Sequence, residues 1–269
     1  MHPLVSVNWL IKNLDNPKLV LLEAGIDVGS YYQKKGIKGR RYFDLKGRFQ
    51  DPISLLPNTI PNPNDFEENA RLLGINKDSI IVVYDTQGIY FSPRVWYLFR
   101  IMGHKEVAVL DGGLPEWLRQ NLPLEEITKK SQSKGSFTAN FQKDLLRSYA
   151  AIAENVTSKK ELLIDARSEG RFKGTEEEPR KGLRSGNIPN SFNLPYTKVL
   201  QDGKYKSIKE IKPLFTKFES KGKPLVFTCG SGITACIIML AAELVNNTPK
   251  SVFDGSWTEW ASKKANGNL

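Results

Sequence analysis

Short runs of consecutive apolar residues alternate along this chain with longer segments whose apolar positions recur at helical spacing. Runs such as Ile80-Ile81-Val82-Val83-Tyr84 and Leu225-Val226-Phe227 are short and aliphatic and predict buried strands. The amphipathic segments 93–102 and 234–245 predict helices, with Pro93 suited to a first helical turn. Strands and helices interleaved in this way predict an α/β fold, each sheet mainly parallel and flanked by helices. No apolar run approaches the roughly 18 residues that a membrane span requires.

The pattern occurs twice. Leu110-Asp111-Gly112-Gly113-Leu114-Pro115-Glu116-Trp117 and Phe253-Asp254-Gly255-Ser256-Trp257-Thr258-Glu259-Trp260 lie 143 residues apart. Leu21-Leu22-Glu23-Ala24 matches Leu163-Ile164-Asp165-Ala166, and the run ending at Asp85 matches the run leading into Cys229. Two tandem α/β domains are therefore expected, at 1–124 and 148–269, joined by a surface linker at 125–147 that is rich in Lys, Ser, Gln and Thr. Asp85 takes the place of Cys229, so the first domain cannot share its covalent chemistry. The second half also carries an insertion of nine residues, between the Asp165 landmark and Gly186-Asn187-Ile188-Pro189. It brings in Gly170-Arg171-Phe172-Lys173-Gly174-Thr175-Glu176-Glu177-Glu178-Pro179-Arg180, a loop after a strand and so on the sheet edge where α/β proteins bind ligands.

Composition narrows the chemistry. The chain has 269 residues, 40% of them hydrophobic, which suffices for one large core or two ordinary ones. Its two cysteines, Cys229 and Cys236, suit a reducing compartment better than a disulfide scaffold. The N-terminus has no signal-peptide pattern, so the cytoplasm is the expected location, with a mitochondrial share left open. With two histidines, His2 and His104, and no CxxC pair, no metal site is expected. His104, beside Gly103, is read as closing a helix end. The net charge of +10 comes from lysines dispersed among acids, which suits small anionic substrates or an acidic partner better than nucleic acid.

Cys229 carries the strongest chemical signal. It ends an apolar strand and opens Gly230-Ser231-Gly232-Ile233-Thr234, a loop that turns directly into a helix. Unpaired N–H groups of the loop and of the helix start converge there and favour a thiolate, and the glycines let the backbone curl around the sulfur. A cysteine phosphatase would need an arginine six positions after the cysteine to hold a phosphate dianion. That position is Ala235 and the next is Cys236, so phosphate-ester hydrolysis is disfavoured. Neighbouring residues read as structural: Cys236 and Trp117, Trp257 and Trp260 as core, Thr234 as a helix cap, Arg167 as an ion-pair partner of Asp165, and 176–178 as a solvated acidic run.

The loop, the duplication and the inserted arginines together resemble the rhodanese-like sulfurtransferases, most closely their two-domain 3-mercaptopyruvate branch. The resemblance rests on Cys229-Gly230-Ser231-Gly232-Ile233-Thr234-Ala235, Asp165-Ala166-Arg167 with Gly170-Arg171-Phe172, Glu178-Pro179-Arg180, Ser92-Pro93-Arg94-Val95-Trp96 and the Asp254 to Trp260 motif. It implies two rhodanese-like domains with catalysis in the second and no cofactor. Cys229 would accept sulfur as a persulfide and pass it to a thiol such as thioredoxin, or to cyanide, releasing pyruvate. It also implies that Arg171 and Arg180 bind a small anionic sulfur donor.

Relatives that prefer thiosulfate place Arg and Lys directly after the cysteine. Gly230 and Ser231 make a neutral loop here, which suits the monoanion 3-mercaptopyruvate better. Thiosulfate turnover, or a sulfur relay to a protein acceptor as in tRNA thiolation, are the rival readings. Animal members have an aspartate and a histidine proposed to act with the loop serine as a proton relay. Here those positions hold Lys46 and, nearby, Asn58, so no such relay is expected.

Overall fold

In a computed structural model of the chain, describing residues 1–27, 35–126, 132–219 and 222–265, each short apolar run is a strand of a parallel sheet. The chain forms two compact units. One comprises Met1–Ile53, Ile60–Gln142 and Asp202–Tyr205, the other Ser54–Thr59, Lys143–Gln201 and Lys206–Leu269.

The first unit contains strands β1 (Leu4–Val5), β2 (Leu19–Gly25), β3 (Arg41–Asp44), β4 (Ile80–Asp85) and β5 (Val107–Leu110), paired in the order β1-β5-β4-β2-β3 with every contact parallel. Helices α1 (Val7–Asn13), α2 (Pro63–Leu72), α3 (Ser92–Ile101) and α4 (Gly113–Arg119) connect and cover them. The second unit repeats the plan with β6 (Leu146–Arg147), β7 (Leu162–Asp165), β8 (Phe192–Asn193), β9 (Leu225–Thr228) and β10 (Lys250–Phe253), in the order β6-β10-β9-β7-β8, again all parallel. Its helices are α5 (Tyr149–Ser158), α6 (Glu169–Lys173), α7 (Ile208–Glu219), α8 (Thr234–Glu243) and α9 (Ser256–Ala265). The two strand orders are one topology used twice, as the duplicated sequence predicts. Among the described residues no helix is long and apolar enough to cross a membrane.

Burial on both faces explains why the central strands are uniformly apolar. Ile81, Val82, Val83 and Tyr84 of β4 and all four residues of β9 are buried. The covering helix α8 is buried from Ala235 through Ala242, and each of Ile237, Ile238 and Leu240 there contributes about 1.5–3 kcal/mol of apolar burial. Cys236 belongs to this layer, as expected of a core residue. Matching landmarks occupy matching cores. Ile37 packs with Leu21, Val82 and Trp117, and Ile188 with Leu163, Val226 and Trp260.

Two local features complete the packing of the first unit. His104 closes the end of α3 beside Gly103, as expected, and does so through its backbone. Its backbone N–H reaches Phe99 O at 2.9 Å, while ring Nε2 meets Ser79 O at 2.9 Å, tying the helix end to the turn before β4. Of the stretch 125–147, residues 127–131 lie outside the described residues. Further on, Phe137 is buried against Phe66, Phe99 and His104, and Gly135 and Phe137 donate backbone hydrogen bonds to Arg71 O and Ile75 O. Phe137 is an apolar anchor within an otherwise polar segment.

The turn after β4 contains a filled anion cradle. Register sets Asp85 opposite Ala24 and Thr228 opposite Asp165, so Cys229 follows at the place corresponding to Asp85. The Asp85 carboxylate is fully buried. Its Oδ1 accepts Gln87 N–H at 2.9 Å, and Oδ2 accepts the N–H groups of Tyr90, Phe91 and Ser92 at 3.0, 2.9 and 2.9 Å and the Ser92 hydroxyl at 2.8 Å. Burial pushes this carboxyl up from its ordinary range, against the pull of those donors. Asp85→Ala strands five donors in the interior and is expected to cost about 3 kcal/mol or more. The check is the urea midpoint of the variant against the native chain, and equal midpoints would show that the cradle does not need its anion.

Candidate active site

Cys229 stands one residue beyond β9 and is 2% exposed. Gly232 N–H points back at its Sγ from 3.1 Å, and the turn that allows this has Gly232 at φ +82°, a left-handed conformation that side chains disfavour. The loop is held from behind by the start of α9. Trp257 N–H donates to Cys229 O at 2.9 Å, Thr258 N–H to Gly230 O at 3.1 Å, and the Thr258 hydroxyl to the same oxygen at 2.6 Å. First-turn N–H groups, which have no partner inside their own helix, are thus used to fix the loop carbonyls. Cys229 N–H meets Ser256 Oγ at 3.2 Å, and that hydroxyl donates to Phe253 O at 2.9 Å. Ser256 Oγ lies 4.0 Å from the sulfur, too far for more than a weak contact.

The start of α8 corrects one expectation. Thr234 is the first residue of the helix and does not cap it. The cap position is Ile233, which has no side-chain cap bond.

Both inserted arginines reach the loop. A Cβ at Gly230 would lie 2.9 Å from Arg171 Nη2, so the absent side chain makes room for that guanidinium next to Cys229, and Arg180 Nη1 would lie at an ordinary contact distance of 3.8 Å. Arg180 Nη2 donates to Ser231 Oγ at 3.0 Å and Nη1 lies 3.5 Å from Thr258 Oγ. The structure therefore brings Cys229, Gly230, Ser231, Gly232, Arg171 and Arg180 together, with Ile233 and Thr234 leading the loop into α8.

The Rhodanese-like domain family matches this chain twice, at residues 6–120 and 148–263. The chain belongs to the rhodanese-like family. It is 40% identical to human 3-mercaptopyruvate sulfurtransferase over 96% of this chain and 91% of that protein. It is also 36% identical to Cricetulus griseus thiosulfate sulfurtransferase over the same shares. Among solved structures it is similar to the Tum1 protein from Saccharomyces cerevisiae, with a TM-score of 0.87 and 29% identity over 99% of this chain and 97% of that one.

Around this rhodanese-like loop stand residues that the sequence did not single out. Chief among them is Glu178, read as part of a solvated run. Glu176 and Glu177 are exposed, but the Glu178 side chain is only 1% exposed. It accepts Arg171 Nη2 at 2.6 Å and Nε at 3.1 Å, and Arg167 Nη1 at 2.7 Å. Arg171 thus pairs with Glu178, while Glu169 takes Lys173 at 3.2 Å. Arg167 forms the expected pair with Asp165, at 2.7 Å, and lies 4.5 Å from the centre of the Trp257 ring. For Arg171 the largest single influence is burial, which opposes its charge. The Glu178 bond and charge, with smaller help from Cys229 and Asp165, outweigh it and raise the guanidinium pKa. Burial likewise opposes the Glu178 charge, and the two arginines still hold its carboxyl below the ordinary range.

Ser256 and Thr258 were also missed, whereas Asn58, noted only as a departure from the family's relay histidine, is in direct contact with Ser231. Asn58 Nδ2 donates to Ser231 O at 3.1 Å and to Ser231 Oγ at 3.0 Å. Ser256 and Thr258 sit inside the Asp-Gly-Ser-Trp-Thr motif, whose repetition in both halves was the signal available for them.

A carboxyl whose folded pKa is depressed stabilises the fold above its unfolded pKa and loses that contribution as pH falls through the folded value. Glu178→Gln is expected to cost about 3 kcal/mol at pH 7, because it leaves two guanidinium groups without their shared charge. That difference should shrink below the ordinary carboxylate range, near pH 4 and under. Urea unfolding at pH 7 and pH 3.5 checks it. A difference that is independent of pH would mean the pair acts through shape alone.

Proposed function

We propose that this chain transfers sulfur from 3-mercaptopyruvate through a persulfide on Cys229 to a thiol acceptor, releasing pyruvate. The chain is a sulfurtransferase of the 3-mercaptopyruvate/thiosulfate type, acting between sulfur donors and acceptors. The observation that carries the finer reading is the approach of two guanidinium groups to Gly230, beside Cys229, over a loop with no charge of its own. Two planar cations can hold a carboxylate and a neighbouring keto oxygen in one orientation, and they oppose the negative charge that develops as the carbon fragment leaves.

The first half-reaction balances without any redox cofactor. The Cys229 thiolate attacks the thiol sulfur of 3-mercaptopyruvate, the C–S bond breaks, and its electron pair stays on carbon as the enolate of pyruvate. The proton from that sulfur ends on the enolate carbon, which leaves pyruvate and an anionic persulfide. The Gly232 N–H, 3.1 Å from the sulfur, supports negative charge there. In the second half-reaction an acceptor thiolate attacks the outer sulfur, the S–S bond breaks, and Cys229 returns as thiolate. Arg171, locked by Glu178, and Arg180, bonded to Ser231, are the donor-binding residues in this reading. The first unit, with its cradle filled by Asp85, takes no covalent part. A thiol protein such as thioredoxin, working in the cytoplasm, is the acceptor we assign.

Thiosulfate is retained as the rival donor because the 36% identical relative bears that activity in its name. Pyruvate release from 3-mercaptopyruvate with a thiol acceptor, measured beside thiocyanate formation from thiosulfate and cyanide, separates the two. The native chain is expected to prefer 3-mercaptopyruvate, and Cys229→Ser to abolish turnover of either donor. Arg171→Lys and Arg180→Lys should each raise KM for 3-mercaptopyruvate about ten- to a hundredfold, since an ammonium cannot make the bidentate contact. A preference for thiosulfate would overturn the donor assignment.

A further inference from the structure

Ser231 Oγ has two hydrogen-bonding neighbours among the described residues, and both are obligate donors. Arg180 Nη2 and Asn58 Nδ2 each lie 3.0 Å away, and neither a guanidinium nor an amide nitrogen can accept a proton in a hydrogen bond. The orientation of the Asn58 amide is fixed by chemistry. The same Nδ2 lies 3.1 Å from Ser231 O, a pure acceptor, so the flipped amide would set oxygen against oxygen. A hydroxyl has two acceptor positions and one hydrogen, and here both acceptor positions are occupied. The hydrogen of Ser231 is therefore the group's one remaining hydrogen-bonding function, and it points away from both neighbours.

Asn58 is built into this place. Its φ of +60° lies in the left-handed region, where Asn is among the few side-chain-bearing residues found with any frequency. The six-residue segment that carries it is tied together locally, with Ser54 Oγ and Thr59 Oγ1 at 2.7 Å, Leu56 N–H to Ser54 Oγ at 3.1 Å and Thr59 Oγ1 to Leu56 O at 3.0 Å. These bonds preset the turn before the amide meets the cysteine loop.

We infer that Asn58 is a positioning residue that locks the Ser231 hydroxyl as a hydrogen-bond donor to a negatively charged atom of the bound sulfur donor and removes it from proton transfer. The inference rests on the sulfurtransfer reading and deepens it. A histidine in this place could take a proton from the serine; Asn58 and Arg180 cannot. The loop hydroxyl thus supports charge as a backbone N–H of an oxyanion hole does, with no titrating partner behind it.

The test is a double-mutant cycle on the full chain, run with whichever of 3-mercaptopyruvate or thiosulfate the native protein turns over. Failure of the donor assignment is thereby kept apart from failure of this inference. Asn58→Asp keeps the size and the left-handed tolerance but replaces the donor with an acceptor, which turns the Ser231 hydrogen toward itself. It is expected to lower kcat about ten- to a hundredfold with little change in KM. Ser231→Ala should lower kcat similarly, and Asn58→Asp should add less than about twofold in that background. Asn58→Gly keeps the backbone but removes the amide, and should fall between native and Asn58→Asp. The native kcat profile should lack a limb near pH 6.5, and Asn58→His should introduce one. Independent, multiplying effects of Asn58→Asp and Ser231→Ala would overturn the inference, since Asn58 would then act through the loop backbone. A native limb in the histidine range would also overturn it.

Discussion

A strand that turns sharply into a helix leaves backbone N–H groups without carbonyl partners, and those groups require a negative or electron-rich atom in front of them. This chain meets the requirement twice in one topology. After β4 the atom is the Asp85 carboxylate, buried and saturated with donors from its own loop. After β9 it is the sulfur of Cys229, faced by Gly232 N–H and held in place by the first turn of α9. The contrast shows how one scaffold yields a closed structural turn in one half and a loop with room for chemistry in the other. A fixed carboxylate fills the first cradle permanently, whereas a sulfur can gain and lose a second sulfur without leaving the second.

The charges around Cys229 are arranged in the same economical way. Arg171 and Arg167 share Glu178, and Arg167 also holds Asp165. Removing such groups from water is costly, and for Arg167 and Arg171 the cost is offset because each has a carboxylate in bonding geometry. The consequence for function is orientation. Arg171 is anchored at its Nε and Nη2 by Glu178, and the same Nη2 stands over Gly230, 2.9 Å from where a Cβ would lie. In the proposed donor-binding role this anchoring would spare the reordering of a long side chain and its entropic cost.

The sequence made the architecture legible because buried parallel strands need continuous apolar runs, and because the second half repeats the landmarks of the first at nearly constant spacing. Cys229 was legible for a local reason, its position between a strand and a glycine loop. Glu178 was not. It stands in a run of three glutamates whose composition suggests solvent, and only the path of the inserted loop turns one of them inward. Asn58 lies 173 residues from the serine that it contacts, so no local pattern expresses the pairing, and only the family resemblance pointed to its position. Thr234 was misread by one position, because the helix already begins there and the cap place falls to Ile233, which has no capping side chain. His104 closes α3 as read, and what the sequence did not show is the ring contact to Ser79 O.

The central claim is that sulfur resides on Cys229 between two half-reactions. The most direct test is mass spectrometry of the protein after exposure to 3-mercaptopyruvate without an acceptor, with fragmentation to separate Cys229 from Cys236. The account predicts one added sulfur atom on Cys229, lost when a thiol is supplied, with Cys236 unmodified. Sulfur carried on Cys236, or pyruvate released with no sulfur on the protein, would contradict it.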